Sequence, residues 1–290
     1  MTSGARLLVN ATGRIAAVAV ALVALALPGY AFWRTGPVSE RAARAAVEAP
    51  PATRGAEPVE ARTLLAARFG RPDRLITNEY ARWNPKSRIA VRSPVWRVTS
   101  GSLFARDGAG WTGAPDAVRP NARSTNATGS AIFRAVTWRR FGDVSVSLSL
   151  LNNGLSTTRR TPGHGWDGVH VFLRYHSPYS LYAVSVNRRD GRIVVKKKVP
   201  GGSANRGSYY QLARPVSYEI PYDRWQRVRA SVETNRDGSV TLRVYVRDKL
   251  VVTATDRGIG GPPLTAPGRV GLRGDNDDFA IDDFVVTALR

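Results

Sequence analysis

Gly268-Arg-Val-Gly-Leu-Arg-Gly274, Asp275-Asn-Asp-Asp278 and Phe279-Ala-Ile-Asp-Asp-Phe-Val-Val286 follow one another without interruption, and together they decide the fold. Val270 and Leu272 alternate with arginine and glycine, Phe279 and Ile281 with small or acidic residues, and an acidic, turn-forming stretch separates the two runs. That is the pattern of two β-strands around a turn, the second closing a sheet close to the last residue. Upstream, turn signals recur at short intervals: Asn84-Pro85, Asp107-Gly108, Asn152-Asn-Gly154, Asp190-Gly191, Asp237-Gly238 and Gly260-Gly-Pro-Pro263. Runs of Val, Ile, Leu, Thr and Tyr fill the intervals, and no long amphipathic helix interrupts them. The expected fold is all-β, an antiparallel jelly-roll β-sandwich of about a dozen strands.

One hairpin can be drawn residue by residue. Val228, Ala230 and Val232 alternate with Arg227, Arg229 and Ser231, and Leu242, Val244 and Val246 alternate with Arg243, Tyr245 and Arg247. A three-residue Arg236-Asp237-Gly238 loop pairs Val232 with Leu242 and Ala230 with Val244, with Gly238 supplying the left-handed residue that such a loop needs.

The N-terminal part reads differently. After Arg14 come nineteen uncharged residues, Ile15 to Trp33, whose core is wholly Ala, Val, Leu and Ile. Two readings stay open. The segment is a secretory signal with a poor cleavage site at Gly29-Tyr30-Ala31, or it is a retained anchor that nearly spans the hydrocarbon layer, with Tyr30 and Trp33 as interfacial aromatics. Both place the remainder outside the cytoplasm, secreted or membrane-tethered through this helix. Residues 34–74 are rich in Ala, Pro, Glu and Arg, and read as a linker with a helical patch at Val59–Phe69. The folded domain is expected over 75–290.

The chain has no cysteine, so neither disulfides nor thiol chemistry enter. Its formal charge is +21, and from Arg71 onward 35 Lys and Arg stand against 18 Asp and Glu. Such an excess favours polyanions, among them acidic polysaccharide; scattered arginines of purely compositional origin are the competing account.

Trp96-Arg-Val-Thr-Ser-Gly-Ser-Leu-Phe104, Gly168-Val-His-Val-Phe-Leu-Arg174 with Tyr182 after a short turn, Trp225-Gln-Arg-Val228 and the closing Gly268–Val286 segment resemble, in order and spacing, the concanavalin A-like lectin/glucanase superfamily in its bacterial laminin-G-like branch. The resemblance covers roughly Leu75 to Leu289. It implies two curved sheets with carbohydrate bound or processed on a concave face, and it leaves open whether the protein is an enzyme. It also implies that Trp96 and Trp225 pack in the core.

A candidate ligand face follows from the strand Val169–Tyr175 and its return Leu181–Asn187. A four-residue loop pairs Tyr175 with Tyr182, Leu173 with Val184 and Val171 with Val186. The opposite side then carries His170, Phe172 and Arg174 beside Ala183, Ser185 and Asn187. In the next strand a two-residue Asp-Gly loop adds Arg192, Lys196 and Lys198 to that side, whereas a three-residue loop adds Lys197. Trp166 and the pair Tyr209-Tyr210, of which Tyr210 is carried into the expected site, are the candidates for stacking on sugar rings, since flat aromatic faces match the apolar faces of pyranoses.

The superfamily's two-carboxylate glycosidases carry Glu-x-Asp-x-x-Glu on one strand. Glu79, Glu219 and Glu233 are the only glutamates of the expected domain, and none is so arranged. A uronate lyase needs a cation to neutralise the sugar carboxylate together with a base and an acid, and His170, Arg174, a lysine of 196–198 and Tyr210 are residues of the right types. No cofactor is required by either reading. Members of the superfamily often hold a structural calcium between the first and last strands, which points to Asn78 or Glu79 near Asp282. Nucleic acid is disfavoured as a partner, since no recognition helix or RNA-binding motif accompanies the basic residues. The leading expectation is therefore an exported, lectin-like carbohydrate-binding module. Its ligand would be an extracellular or cell-wall polysaccharide, acidic in one version, contacted by Trp166, His170, Arg174, Asn187, Lys196, Lys198 and Tyr210. A polysaccharide lyase is the alternative.

Overall fold

The computed structural model describes residues 62–113, 132–159 and 161–289. The expected signal or anchor and all but the end of the expected linker lie outside the described residues. In chain order the elements are β1 (Thr63–Ala67), β2 (Arg74–Asn78), a one-turn helix α1 (Tyr80–Trp83), β3 (Trp96–Ser100), β4 (Ser102–Arg106), β5 (Ala109–Trp111), β6 (Ile132–Thr137), β7 (Val144–Leu155) and β8 (Gly168–Ser177). They continue with β9 (Ser180–Arg188), β10 (Arg192–Pro200), β11 (Gly207–Gln211), β12 (Val216–Ser217), β13 (Gln226–Thr234), β14 (Val240–Val246), β15 (Lys249–Asp256), β16 (Arg269–Asp275) and β17 (Asp277–Ala288).

These strands form an all-β antiparallel sandwich. One sheet runs β15-β14-β13-β7-β17-β5-β4-β2, with β1 also paired to β17. The other runs β11-β10-β9-β8-β16-β6-β3, with β12 on β10. Alternating apolar residues meet between the sheets: Val144, Val146, Leu148 and Leu150 from β7, Val228, Ala230 and Val232 from β13, and Val169, Val171 and Leu173 from β8. Each large aliphatic side chain removed from water in this layer contributes about 1.5–3 kcal/mol. The hairpin drawn from sequence forms with the expected pairs Val232–Leu242 and Ala230–Val244, and Gly238 has φ +80°.

Among the described residues seventeen strands appear where about a dozen were expected, partly because single left-handed residues cut continuous runs in two. Trp96–Phe104, which reads as one segment, is broken at Gly101 (φ +81°), so β3 lies in one sheet and β4 in the other. The closing segment behaves alike. Asn276 (φ +46°) separates β16 and β17, which belong to different sheets and do not pair with each other. The expected closing hairpin is therefore a crossing between layers, and β17 takes an interior place between β7 and β5. A strand, Thr63–Ala67, stands where a helical patch was expected, and its pairing with β17 carries the sandwich upstream of Leu75. Trp96 is buried edge-on against Phe284 at 4.8 Å, whereas Trp225 is 48 % exposed and is no core residue.

Candidate functional site

The face of the eight-stranded sheet turned away from the core holds the site, and strand register decides what reaches it. On β8, His170 and Phe172 point outward while Val169, Val171 and Leu173 point inward. On β9, Leu181 and Ala183 join Phe172, Tyr175 and Val136 in a small apolar cluster that floors this face. On β10, Lys196 lies opposite Ala183 and Lys198 opposite Leu181, so both lysines face outward. Lys197, opposite Tyr182, faces the core. The turn before β10 is Arg189-Asp190 rather than Asp-Gly. That displaces the pairing by two residues and leaves the faces unchanged.

Lys196 and Lys198 converge on one ring. Their Nζ atoms lie 4.9 and 4.7 Å from the centre of Tyr209, which pairs with Lys198 across β10 and β11. Gly207 closes the arrangement, since a Cβ there would meet Lys198 Cε at 2.7 Å. From β16, Arg273 donates to Asp275 at 2.6 Å, and Asp275 lies 3.3 Å from His170 Nε2. The other ring nitrogen of His170, Nδ1, shares a 2.7 Å hydrogen bond with Ser185. With Nε2 carrying the proton beside the carboxylate, Ser185 donates to Nδ1. Burial pushes the His170 pKa down, so this imidazole is neutral near pH 7. The Arg273 guanidinium and His170 hold the Asp275 carboxyl well below the usual carboxylate range despite its burial.

Around these groups lies a cleft of about 460 Å³, bounded also by Trp166, Arg188 and the Ser203–Asn205 loop. Trp166 stands at the rim, stacked on His164 at 4.4 Å. Asp167 fixes that loop, accepting from the His164 backbone N–H at 2.7 Å and from Asn276 Nδ2 at 2.9 Å. Burial, with Arg188 and Arg273 close by, lowers the Lys196 ammonium to about 8; burial, with Arg273 and Arg134, lowers Lys198 to about 7. Burial also raises the Tyr209 phenol. Among the described residues that line the cleft, Asp275 is the one carboxylate, and Arg273 and His170 already occupy it. Arg188 is paired with Asp190 at 2.5 Å, which leaves Lys196 and Lys198 as the cations without an ion pair.

Of the residues expected on this face, Trp166, His170, Lys196 and Lys198 line the cleft; Arg174, Asn187 and Tyr210 do not. Arg174 sits in a bulge with φ +48°. Its guanidinium turns inward to Asp143 at 2.5 Å and to the Thr265 carbonyl at 2.6 Å. The same bulge pairs Leu173 with Tyr182 and Val171 with Val184, two residues from the expected register, and moves Tyr175 to the outward face against Phe172. A second bulge near Val186 turns Asn187 inward, where it accepts from Gln226 Nε2 at 2.9 Å. Tyr210 alternates with Tyr209 and packs on Gly260, where a Cβ would meet its ring at 2.3 Å. Of the pair Tyr209-Tyr210 the expectation carried Tyr210 forward where the cleft uses Tyr209, and sequence reasoning missed Arg273 and Asp275 as residues of this face. Arg273 and Asp275 could have been found by parity, since they alternate with the inward Val270 and Leu272 in the segment that opened the reading.

The expected calcium ligands do not come together as a site. Glu79 accepts from the Gly101 backbone N–H at 3.1 Å, while Asp282 accepts from the Asp283 N–H. Among the described residues no group of three acidic or histidine side chains could hold a metal ion.

No protein-family model matches the chain, and no curated protein matches its sequence. Solved structures resemble its fold. The carbohydrate-binding module CBM66 from Bacillus subtilis is 11 % identical, with 67 % of this chain and 95 % of that one covered and a TM-score of 0.47. An endo-β-1,3-glucanase from Pyrococcus furiosus is 10 % identical, with 79 % and 94 % covered and a TM-score of 0.48. A legume lectin-like domain from Entamoeba histolytica is 10 % identical, with 68 % and 91 % covered and a TM-score of 0.43. At such identities the chemistry of the face has to be read from its own residues.

Proposed function

We propose that the outward face of the eight-stranded sheet binds an anionic polysaccharide outside the cytoplasm, on a chain held at a membrane by its N-terminal apolar segment. One observation carries this reading: Lys196 and Lys198 meet on Tyr209 beside Arg273, and among the described residues neither lysine has a carboxylate within ion-pair distance. Desolvated cations of this kind gain most from an incoming anion, because the low local dielectric strengthens the new contact. Trp166 at the rim offers a flat surface to a sugar ring, and the apolar floor of Phe172 and Ala183 suits its C–H face. Uronates fit the charge. Membrane tethering is supported by the uncharged Ile15–Trp33 run alone. Electrophoresis of the full chain through gels containing acidic or neutral polysaccharides tests the binding. Retardation by uronate polymers, lost in Lys198→Met, is the expected result; free migration in every acidic polymer ends the reading.

One observation favours a second reading, a uronate lyase. An amine lowered to about 7 can act as a base at neutral pH, and Lys198 lies against the phenol of Tyr209. In that reaction Lys198 takes the proton next to the sugar carboxylate, the electron pair becomes a ring C=C bond as the glycosidic C–O bond breaks, and Tyr209 protonates the leaving oxygen. Unsaturated products absorb in the ultraviolet and should vanish in Lys198→Arg, which keeps the charge but not the base. Binding without any absorbing product leaves a non-catalytic module.

A further inference from the structure

Beyond the first cleft, toward the β3 edge of the same face, lies a second of about 420 Å³, walled by Arg82 and Trp83 of α1, Arg97 of β3, Arg134 of β6, Tyr175 of β8 and Arg206 of the β10–β11 loop. The two share Asn205, so the track continues from one into the other across the sheet. Unlike the first, the second has no Asp or Glu among the described residues that line it. Arg134 is 4 % exposed, and its Nε donates to Thr99 Oγ1 at 2.6 Å. Among the described residues no carboxylate lies within ion-pair distance of it, and its register neighbour on β16 is another cation, Arg273. The Nε of the half-buried Arg97, whose guanidinium lies 5.5 Å from the centre of the Trp138 ring, is buried without a hydrogen-bond partner. A guanidinium withdrawn from water without a counter-charge is costly, and a planar carboxylate received in bidentate fashion offsets that cost. Burial and the nearby Arg273 both lower the Arg134 pKa, in keeping with a cation that lacks its anion.

We infer that this second cleft is a separate anion subsite, which takes a carboxylate-bearing sugar of the same polymer that occupies the first, with Arg134 and Arg97 as its carboxylate-binding groups and Trp83 and Tyr175 as its aromatic walls. The inference rests on the polysaccharide reading of the first cleft. It adds that the recognised unit is an oligosaccharide long enough to bridge both clefts, not a single terminal sugar.

Titration calorimetry of the full chain with uronate oligosaccharides of increasing length tests it, with a sulfated series as a parallel arm. Arg97→Gln with Arg206→Gln, one half-buried and one exposed position, should weaken a hexauronate by about ten- to a hundredfold and leave a diuronate unchanged. Lys198→Met should weaken both. Arg134→Gln should act like the Arg97 and Arg206 pair, with thermal melting to show that it is folded. An equal loss in the sulfated series supports the subsite and shows that it reads any sugar-borne oxyanion; a loss confined to uronates supports it and shows that it reads carboxylate geometry. If the Arg97 and Arg206 variant binds the hexauronate as the parent does, the subsite is overturned while the first cleft stands. If the unmodified chain binds neither length in either series, the polysaccharide reading itself fails.

Discussion

Lys197 and its two neighbours, Lys196 and Lys198, carry the same side chain to opposite faces of β10, and the two faces treat it differently. Inward, Lys197 is wholly buried, 2.9 Å from Asp256 Oδ2 and 2.6 Å from the Gly261 carbonyl. Asp256 also accepts from Tyr182 at 2.6 Å and from the Gly258 backbone N–H at 2.9 Å, so the Lys197–Asp256 pair is answered on both sides and the 257–264 connection is tied to the sheet. Outward, Lys196 and Lys198 rest on Tyr209 beside arginines, and among the described residues no carboxylate lies within ion-pair distance of them. A closed network specifies structure. An open one gives up stability so that a ligand can complete it. The difference separates what holds the fold from what the fold presents.

The largest effect tests the closed side. Lys197→Met strands a carboxylate in the core, and unfolding by denaturant should show a loss of about 3–5 kcal/mol. Adding Asp256→Asn removes the orphan charge and should return part of that loss. A single variant within about 0.5 kcal/mol of the parent would mean that the inward pair is no more structural than the outward lysines, and the contrast collapses.

Lys198→Met should do the reverse. The side chain fills similar space without a desolvated charge, so stability should hold or rise slightly, while affinity for an acidic polysaccharide should fall by about tenfold or more. The same group gives a pH signature. Its folded value of about 7 lies below the 10.5 of a free lysine, so between the two the unfolded chain binds a proton that the native protein lacks. Stability therefore rises with pH through that window, and the native ammonium that an anion would meet is lost over its lower end. Melting temperature should climb from neutral to mildly alkaline pH as polyanion affinity declines, and both slopes should flatten in Lys198→Met. A polyanion affinity that increases over this range would break the assignment of Lys198 to the ligand.

Much of this contrast was legible along the chain and some was not, for identifiable reasons. Alternation along Val228–Val246 pinned the hairpin because loop length and apolar parity agreed. Alternation likewise put Lys196 and Lys198 on one face and Lys197 on the other but left open which of them joins His170. The two-residue turn decides for Lys196 and Lys198, since a two-residue change of register preserves the face. Bulges were not legible. Nothing in Leu173-Arg174-Tyr175 marks a non-glycine residue at φ +48°, and that one residue sent Arg174 into an ion pair with Asp143 and Tyr175 onto the outward face. The extra residue near Val186 did the same to Asn187. Choosing Tyr209 over Tyr210 needed the partner register of β11, which follows a long loop with left-handed residues at Gly201, Gly202, Asn205 and Arg206. Crossings between sheets at Gly101 and Asn276 hid for a related reason. A left-handed residue reads equally as a hairpin turn or as a step from one layer to the next.

The smallest expected effect concerns the aromatic part of the open side. Trp166 is 46 % exposed and stacks on His164, while the fold of its loop is held by Asp167 and Asn276 rather than by the indole. Trp166→Ala should thus leave the melting temperature unchanged. A stacked sugar ring contributes about 1 kcal/mol through such a surface, so polysaccharide affinity should drop by about fivefold, with Trp166→Phe recovering part of it. The salt response distinguishes the two kinds of contact. Raising ionic strength should weaken binding in Trp166→Ala as steeply as in the parent, because all the charges remain, whereas Lys198→Met should respond less steeply. If Trp166→Ala instead flattens the salt response or melts early, the indole organises the cationic cleft rather than meeting the sugar, and the rim belongs with the closed side of the molecule.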